Sequence, residues 1–322
     1  MGEKPKIAFY WCASCGGCEE AVVDLAEEVL DVVAAADIVF WPVALDYKRH
    51  DLEQMQDGSI LVTFLNGAIR TSEQDDMAHL LRQKSRYLVA FGSCSQMGGV
   101  PGLANLFTRD SILQQVYLDG PTTENSDHVL PGGPSTDANG NLTLPAFSGR
   151  VHALDQVVEV DYYVPGCPPL RRIITRAVAT LLGDHPPKEG TVLAPDQALC
   201  TECPRMESKP DKIALKQFRR PHEIVIDEAQ CLLAQGLLCL GPSTRAGCEA
   251  ACIKGNMPCT GCCGAPGQVR DQGAKALSAI ASLIDSQDEA EIVQILDTIP
   301  DPAGTFYRYS VPAALLHARR GV

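Results

Sequence analysis

Fourteen cysteines stand in a chain of 322 residues, and their spacing is regular enough to do chemistry. Cys15-Gly-Gly-Cys18, Cys200-Thr-Glu-Cys203 and Cys259-Thr-Gly-Cys262 are Cys-x2-Cys pairs. Cys94 lies in Gly-Ser-Cys and Cys167 in Pro-Gly-Cys-Pro-Pro, while Cys231, Cys239, Cys248 and Cys252 fall among the later pairs. A cubane iron-sulfur cluster needs four thiolates aimed at four corners, so a close pair from one loop is usually completed by cysteines from elsewhere. Glycine beside the ligands lets backbone N–H groups approach the sulfides, and proline directly after a cysteine turns the chain away. Three four-iron clusters take twelve cysteines and leave two over, for which a small buried thiol is the plain reading. A disulfide framework is the weaker reading, because a chain of this size needs no staples and reads as cytoplasmic. Zinc is the alternative metal, since Cys-x2-Cys pairs repeat.

The elements that must position these cysteines are alternating strands and helices. Residues 6–11 (KIAFYW) read as a buried strand, followed by a glycine-bearing loop and one amphipathic helix over 19–35. Further strands are expected at 37–43, 59–64, 86–91 and 157–164, with helices at 74–83 and 170–182. The pattern predicts an α/β fold, a doubly wound parallel sheet with ligands beyond the carboxyl ends of its strands. Cys15 and Cys18, Cys94, and Cys167 each follow a strand, so they can converge on one crevice. Residues 119–149, rich in Gly, Pro, Asn and Asp, read as a long surface insertion. After the linker DHPPKEG the cysteines crowd among Gly and Pro, as in a small irregular domain folded around metal. The expected division is 1–185, 186–270 and a helical extension at 271–322, with one helical stretch at 272–296.

Composition excludes several functions. Hydrophobic residues make up 45% and charged residues 21%, the balance of an ordinary globular protein. The net charge of -13 disfavours nucleic acid as a partner. The N-terminus enters a short apolar strand with no secretory or twin-arginine pattern, and no apolar run reaches spanning length, so a cytoplasmic chain without membrane insertion is expected. Neither G-x-G-x-x-G nor a P-loop occurs. Seven scattered histidines form no ligand pair, and no nucleophile with a base can be assembled, so bond chemistry on this chain alone is not expected. Glu19 and Glu20 open a helix, where the dipole favours carboxylates; a proton-relay role is the alternative.

In this order and after strands, CGGCEE, GSC and VPGCPP resemble the proximal-cluster site of the small subunit of nickel-iron hydrogenases. Cys200-Thr-Glu-Cys203 with Cys231 and Cys239 resembles that family's distal site. Cys248, nine residues beyond Cys239, with Cys259-Thr-Gly-Cys262 resembles its medial site, and Cys252 supplies a fourth thiolate there. The resemblance spans Cys15 to Cys262. It implies a flavodoxin-like first domain, a proximal 4Fe-4S cluster on Cys15, Cys18, Cys94 and Cys167, and distal and medial 4Fe-4S clusters on the two later sets. Exchange of partners between the last two sets stays open, as does the register set by Cys12 and Cys263.

The resemblance further implies electron transfer between a redox partner and a large subunit whose nickel-iron centre interconverts hydrogen with protons and electrons. The four-cysteine medial and distal sites look like the cytoplasmic methyl-viologen-reducing, F420-non-reducing type, which works with an iron-sulfur adaptor subunit and heterodisulfide reductase. The deazaflavin-reducing type is the near alternative. The NAD-linked type generally lacks the C-terminal cluster domain. The cluster subunit of respiratory complex I shares GSC and GCPP but typically has adjacent cysteines first, and a zinc-stabilised scaffold is the non-enzymatic alternative.

Overall fold

The computed structural model describes residues 3–137, 140–267 and 269–317. Strand β1 (Lys6–Trp11) leads through a loop to helices α1 (Gly17–Val23) and α2 (Glu28–Ala35), then to β2 (Asp37–Phe40) and α3 (Arg49–Glu53). The chain continues through β3 (Ile60–Asn66), β4 (Ile69–Thr71), α4 (Ser72–Lys84), β5 (Ser85–Phe91) and α5 (Ser93–Met97). Helix α6 (Arg109–Tyr117) precedes β6 (Ser135–Asp137), β7 (Gly140–Leu142) and β8 (Phe147–His152). Strand β9 (Tyr162–Val164), α7 (Arg171–Leu182) and β10 (Thr191–Val192) close this half.

Six of these strands form one sheet in the order β10-β9-β5-β3-β1-β2, with every pairing parallel. Successive side chains of a strand point to opposite faces, and here both faces are covered. Ile7, Phe9, Val62, Phe64, Val89 and Phe91 pack against Val22, Val32, Ile173, Ala177 and Leu181 of α1, α2 and α7. Ala8, Leu88 and Ala90 pack with Met77, Ala78 and Leu81 of α4. Burial on both sides is why these strands read as nearly continuous apolar runs.

Chain order departs from strand order at β1 and β3: β1 leads to β2 on one side, and the later strands build outward from β3 on the other. That reversal places a crevice at the carboxyl ends of the middle strands. Helix α4 starts with a capping box: Thr71 Oγ1 accepts from Gln74 N at 3.4 Å, and Gln74 Oε1 accepts from Thr71 N at 3.1 Å.

Two expected helices are each two in the structure. Leu25 N and Ala26 N bond to carbonyls only three residues back, Ala26 takes a φ of 52°, and Leu25 drops fully into the core, so 19–35 breaks between α1 and α2. The stretch at 272–296 is divided because Asp288 caps a new helix by accepting from Glu291 N at 2.9 Å. Residues 119–149 lie mostly exposed, with the β6–β7 hairpin at their far end.

Beyond β10 the chain has little regular structure until α8 (Ala251–Lys254), passing instead through 3-10 turns at Leu199–Glu202, Met206–Ser208 and Gly241–Ser243. Leu199, Phe218, Leu232, Leu237, Leu240 and Ile253 make its apolar core together with Ala276, Ile280, Ile295 and Phe306 from α9 (Gln272–Ala281), α10 (Glu289–Leu296) and α11 (Pro302–Phe306). The last described segment returns to the sheet half: Gly99 N donates to Tyr309 O at 2.9 Å and Gln156 Nε2 to Pro312 O at 2.6 Å.

Candidate functional site

The crevice at the sheet's carboxyl end gathers the first cysteine set. The loop after β1 carries Cys15 and Cys18, the turn into α5 carries Cys94, and the turn after β9 carries Cys167. Gly92 N donates to Val164 O and Ser93 N to Gly166 O, each at 2.8 Å, which ties the last two turns together. Ser93 Oγ donates to Gly166 O at 2.8 Å and to Cys262 O at 2.5 Å, bringing the cysteine-rich half against the same crevice.

These thiols act on one another electrostatically. Burial pushes the Cys18 thiol well up, and Cys94, Cys167 and Cys15 add to the shift. Cys94 is pushed up to about 12, first by burial and then by Cys167 and Cys15. Cys167 rises to about 11 through burial, then Cys262 and Cys15. Four mutually repelling sulfurs can ionise together only beside compensating positive charge, which bound metal supplies.

The backbone leaves room for such a group. A Cβ on Gly92, whose φ is 85°, would lie 2.4 Å from Cys18 Sγ, and one on Gly99 would lie 2.4 Å from Cys94 Sγ. Both glycines keep side-chain atoms away from the sulfurs, so the residues present fit a four-thiolate cluster. Cys12, by contrast, is buried in the apolar cluster on the α4 side of the sheet, with Ala8, Phe40 and Leu52.

Cys200, Cys203, Cys231 and Cys239 line a single small cavity whose other walls include Leu232, Leu233 and Ile253. Cys200 is pushed up to about 11, by burial first and then by Cys239, with Cys203 and Cys231 adding to it against Lys209. Cys239 is also raised by burial, although the N–H groups of Gly241 and Cys259 oppose it. Buried Arg205 staples the surrounding loops, donating to Asn256 Oδ1 at 2.7 Å and to the carbonyls of Ile253 and Asp227 at 3.3 Å.

The remaining cysteines lie between these two groups. Cys252 is raised by burial, then by Cys262 and Cys248. The Cys263 thiol is the main cause that draws Cys248 down to about 6, with the N–H groups of Ala250 and Ala251 assisting. Cys262 is lowered first by Cys263, with the backbone N–H of Cys167 a smaller cause. Cys259 is raised by burial and next by Cys239, with Cys262 a smaller cause, so it stands between two groups. Among the described residues, no three or more His, Cys, Asp or Glu side chains gather tightly enough to hold a single metal ion.

Glu19 stands in the first turn of α1, as the helix-start reading has it, but it faces inward. It is buried, accepts from Trp41 Nε1 and from Asn66 Nδ2 (2.6 Å), and burial raises it against these two donors. Spacing could not reveal Trp41 or Asn66, because each reaches Glu19 from another part of the chain.

The chain is similar to several known proteins. A family profile described as NADH ubiquinone oxidoreductase, 20 Kd subunit, matches residues 15–181. The iron-sulfur subunit of the F420-non-reducing hydrogenase of Archaeoglobus profundus is 39% identical over 318 residues, covering 98% of each chain. The corresponding subunit of the F420-non-reducing hydrogenase of Methanothermobacter thermautotrophicus is 35% identical over 319 residues, covering 98% of this chain and 97% of its own. Among solved structures, the [NiFeSe] hydrogenase of Desulfovibrio vulgaris Hildenborough aligns with a TM-score of 0.52 at 17% identity, over 81% of this chain and 94% of that one, a likeness of fold.

Proposed function

Because the chain belongs to the NADH ubiquinone oxidoreductase 20 Kd subunit family, alongside subunits of F420-non-reducing hydrogenases, we propose that it relays electrons through three 4Fe-4S clusters. It is a hydrogenase subunit, and its large-subunit partner carries the nickel-iron centre. On this reading Cys15, Cys18, Cys94 and Cys167 hold the proximal cluster. Cys200, Cys203, Cys231 and Cys239 hold the distal one, and Cys248, Cys252, Cys259 and Cys262 the medial one. The domains divide at 1–185, 186–270 and 271–322. The redox partner is an iron-sulfur adaptor subunit leading to heterodisulfide reductase, and the setting is the cytoplasm; among the described residues no helix is long and apolar enough to cross a membrane.

A bound four-iron cluster supplies a one-electron carrier. The chain's own part is to present four thiols and fix their directions. The observation carrying the proposal is that the cysteines meet in space as sets, at strand ends and around one cavity, although the members of a set are up to 152 residues apart in sequence (Cys15 to Cys167). The Cys94 and Cys167 motifs exist in the complex-I reading too, but Cys15-Gly-Gly-Cys18 and the eight later ligands favour the hydrogenase one, as does alignment along 98% of the Archaeoglobus profundus chain.

Iron and acid-labile sulfide analysis of the anaerobically purified chain tests the count: about twelve irons per chain are expected from three four-iron clusters. Zinc without iron would overturn the proposal. Nickel in a co-purifying larger chain is the matching result for the partner.

A further inference from the structure

We infer that Asn66 is the positioning residue of the Cys15–Cys18 loop, gripping the residues on either side of it, Ser14 and Glu19, with one carboxamide. The inference rests on reading Cys15 and Cys18 as cluster ligands. Asn66 is the last residue of β3 and is 1% exposed. Its register partners are Trp11 at the end of β1 and Phe91 at the end of β5, so it stands in the crevice where the sheet's connections reverse.

Its two polar atoms are used in opposite senses. Nδ2 donates to Glu19 Oε1 at 2.6 Å and to Tyr10 O at 3.2 Å. Oδ1 accepts from Ser14 Oγ at 3.0 Å, and that hydroxyl oxygen accepts in turn from Gly16 N at 3.3 Å. The backbone joins the grip, with Cys12 N donating to Asn66 O at 2.8 Å. Trp11 Nε1 reaches Ser14 O at 3.3 Å, and Trp41 Nε1 donates to the second oxygen of Glu19.

This arrangement matters because little else fixes the Cys15 end of the segment. Cys18 stands in the first turn of α1, but Cys15 is exposed and is joined to that helix only through Gly16, at a φ of 85°. The direction of the Cys15 thiol must therefore come from the residues that flank the pair. A carboxamide supplies a donor for Glu19 and an acceptor for Ser14 on one short side chain; aspartate supplies only acceptors and alanine neither. Groups that orient ligands in this way alter metal retention and redox properties without touching the metal.

The test uses the full-length chain in its native complex, purified anaerobically, read by iron retention against a chelator and by the low-temperature paramagnetic spectrum and midpoint potential of the reduced protein. Cys18→Ser identifies the proximal signal as the one it removes. Asn66→Ala is expected to shift that signal, leave the others in place and weaken proximal iron retention roughly tenfold or more, the usual scale for a ligand-orienting group. Asn66→Asp keeps the acceptor for Ser14 but loses the donor to Glu19, and is expected to do the same. Adding Glu19→Gln to Asn66→Asp exchanges donor and acceptor across the same contact and restores the proximal signal. A general packing role would lower stability in all three variants alike and would not be reversed by the exchange. Wild-type proximal spectrum and potential in both single variants overturns the inference, as does a double variant no better than Asn66→Asp. If Cys18→Ser removes no signal, the ligand assignment itself falls, and the positioning role with it.

Discussion

Cys94 and Cys167 are carried on turns at the ends of β5 and β9, strands hydrogen-bonded into a six-stranded sheet. Cys200, Cys203, Cys231 and Cys239 are carried on loops and single 3-10 turns around a cavity. In the first region the sheet core, with Ile60, Val62, Leu65, Leu88 and Val89 wholly buried, supplies the frame. In the second, cysteines belong to the core itself: Cys239 and Cys259 pack beside Leu237, Leu240 and Ile253. On the proposed ligand assignment these side chains serve as both core and ligand, which ties folding to metal binding, because thiols buried without a cation are held neutral and unbridged. The contrast separates a site built on a scaffold from a scaffold built on a site.

Iron removal tests that contrast most severely. Under anaerobic chelation, amide exchange across 200–263 is expected to accelerate by about a hundredfold or more, while β3 and β5 change little, as regions of different local stability do. Hydrogen exchange followed by mass spectrometry reads both regions at once, and equal loss of protection would erase the distinction. Next in size, Leu88→Ala opens a cavity in the fully buried sheet core and should cost about 2–5 kcal/mol, read from the denaturant midpoint, with or without iron. Leu237→Ala, equally buried, should show a comparable loss only in the iron-loaded protein.

Glu202 offers a smaller test at the seam. Its Oε2 accepts from Gly247 N at 2.9 Å and Glu249 N at 3.0 Å, so Glu202→Ala should cost about 2 kcal/mol, the scale of bonds to a charged acceptor. That loss should appear as faster exchange near Cys248 and leave the sheet untouched. Thr71→Ala, which removes the cap of α4, should cost about 1 kcal/mol in thermal unfolding and leave the spectrum of every cluster unchanged.

What the sequence made legible follows the same division. The strands from KIAFYW to YLVAF and the three motif groups were readable because burial on two faces and ligand geometry each impose a short-range pattern. The break at Ala26 was not, since Leu25 leaves the helix to satisfy a core that the periodicity of 19–35 does not encode. Glu19 was legible as a residue but not in its use, because Trp41 and Asn66 come from other parts of the chain. In the cysteine-rich half, residue types were plain and their neighbours were not: Cys263 acts on both Cys248 and Cys262, an effect that depends on how irregular loops fold back.

The two halves also meet at sulfur-bearing residues. The backbone N–H of Cys167, a neighbour of the first crevice through its own sulfur, lowers the Cys262 thiol of the later set. On the proposed relay one residue then serves both sets, so a substitution that shifts the Cys167 turn would disturb two sites at once.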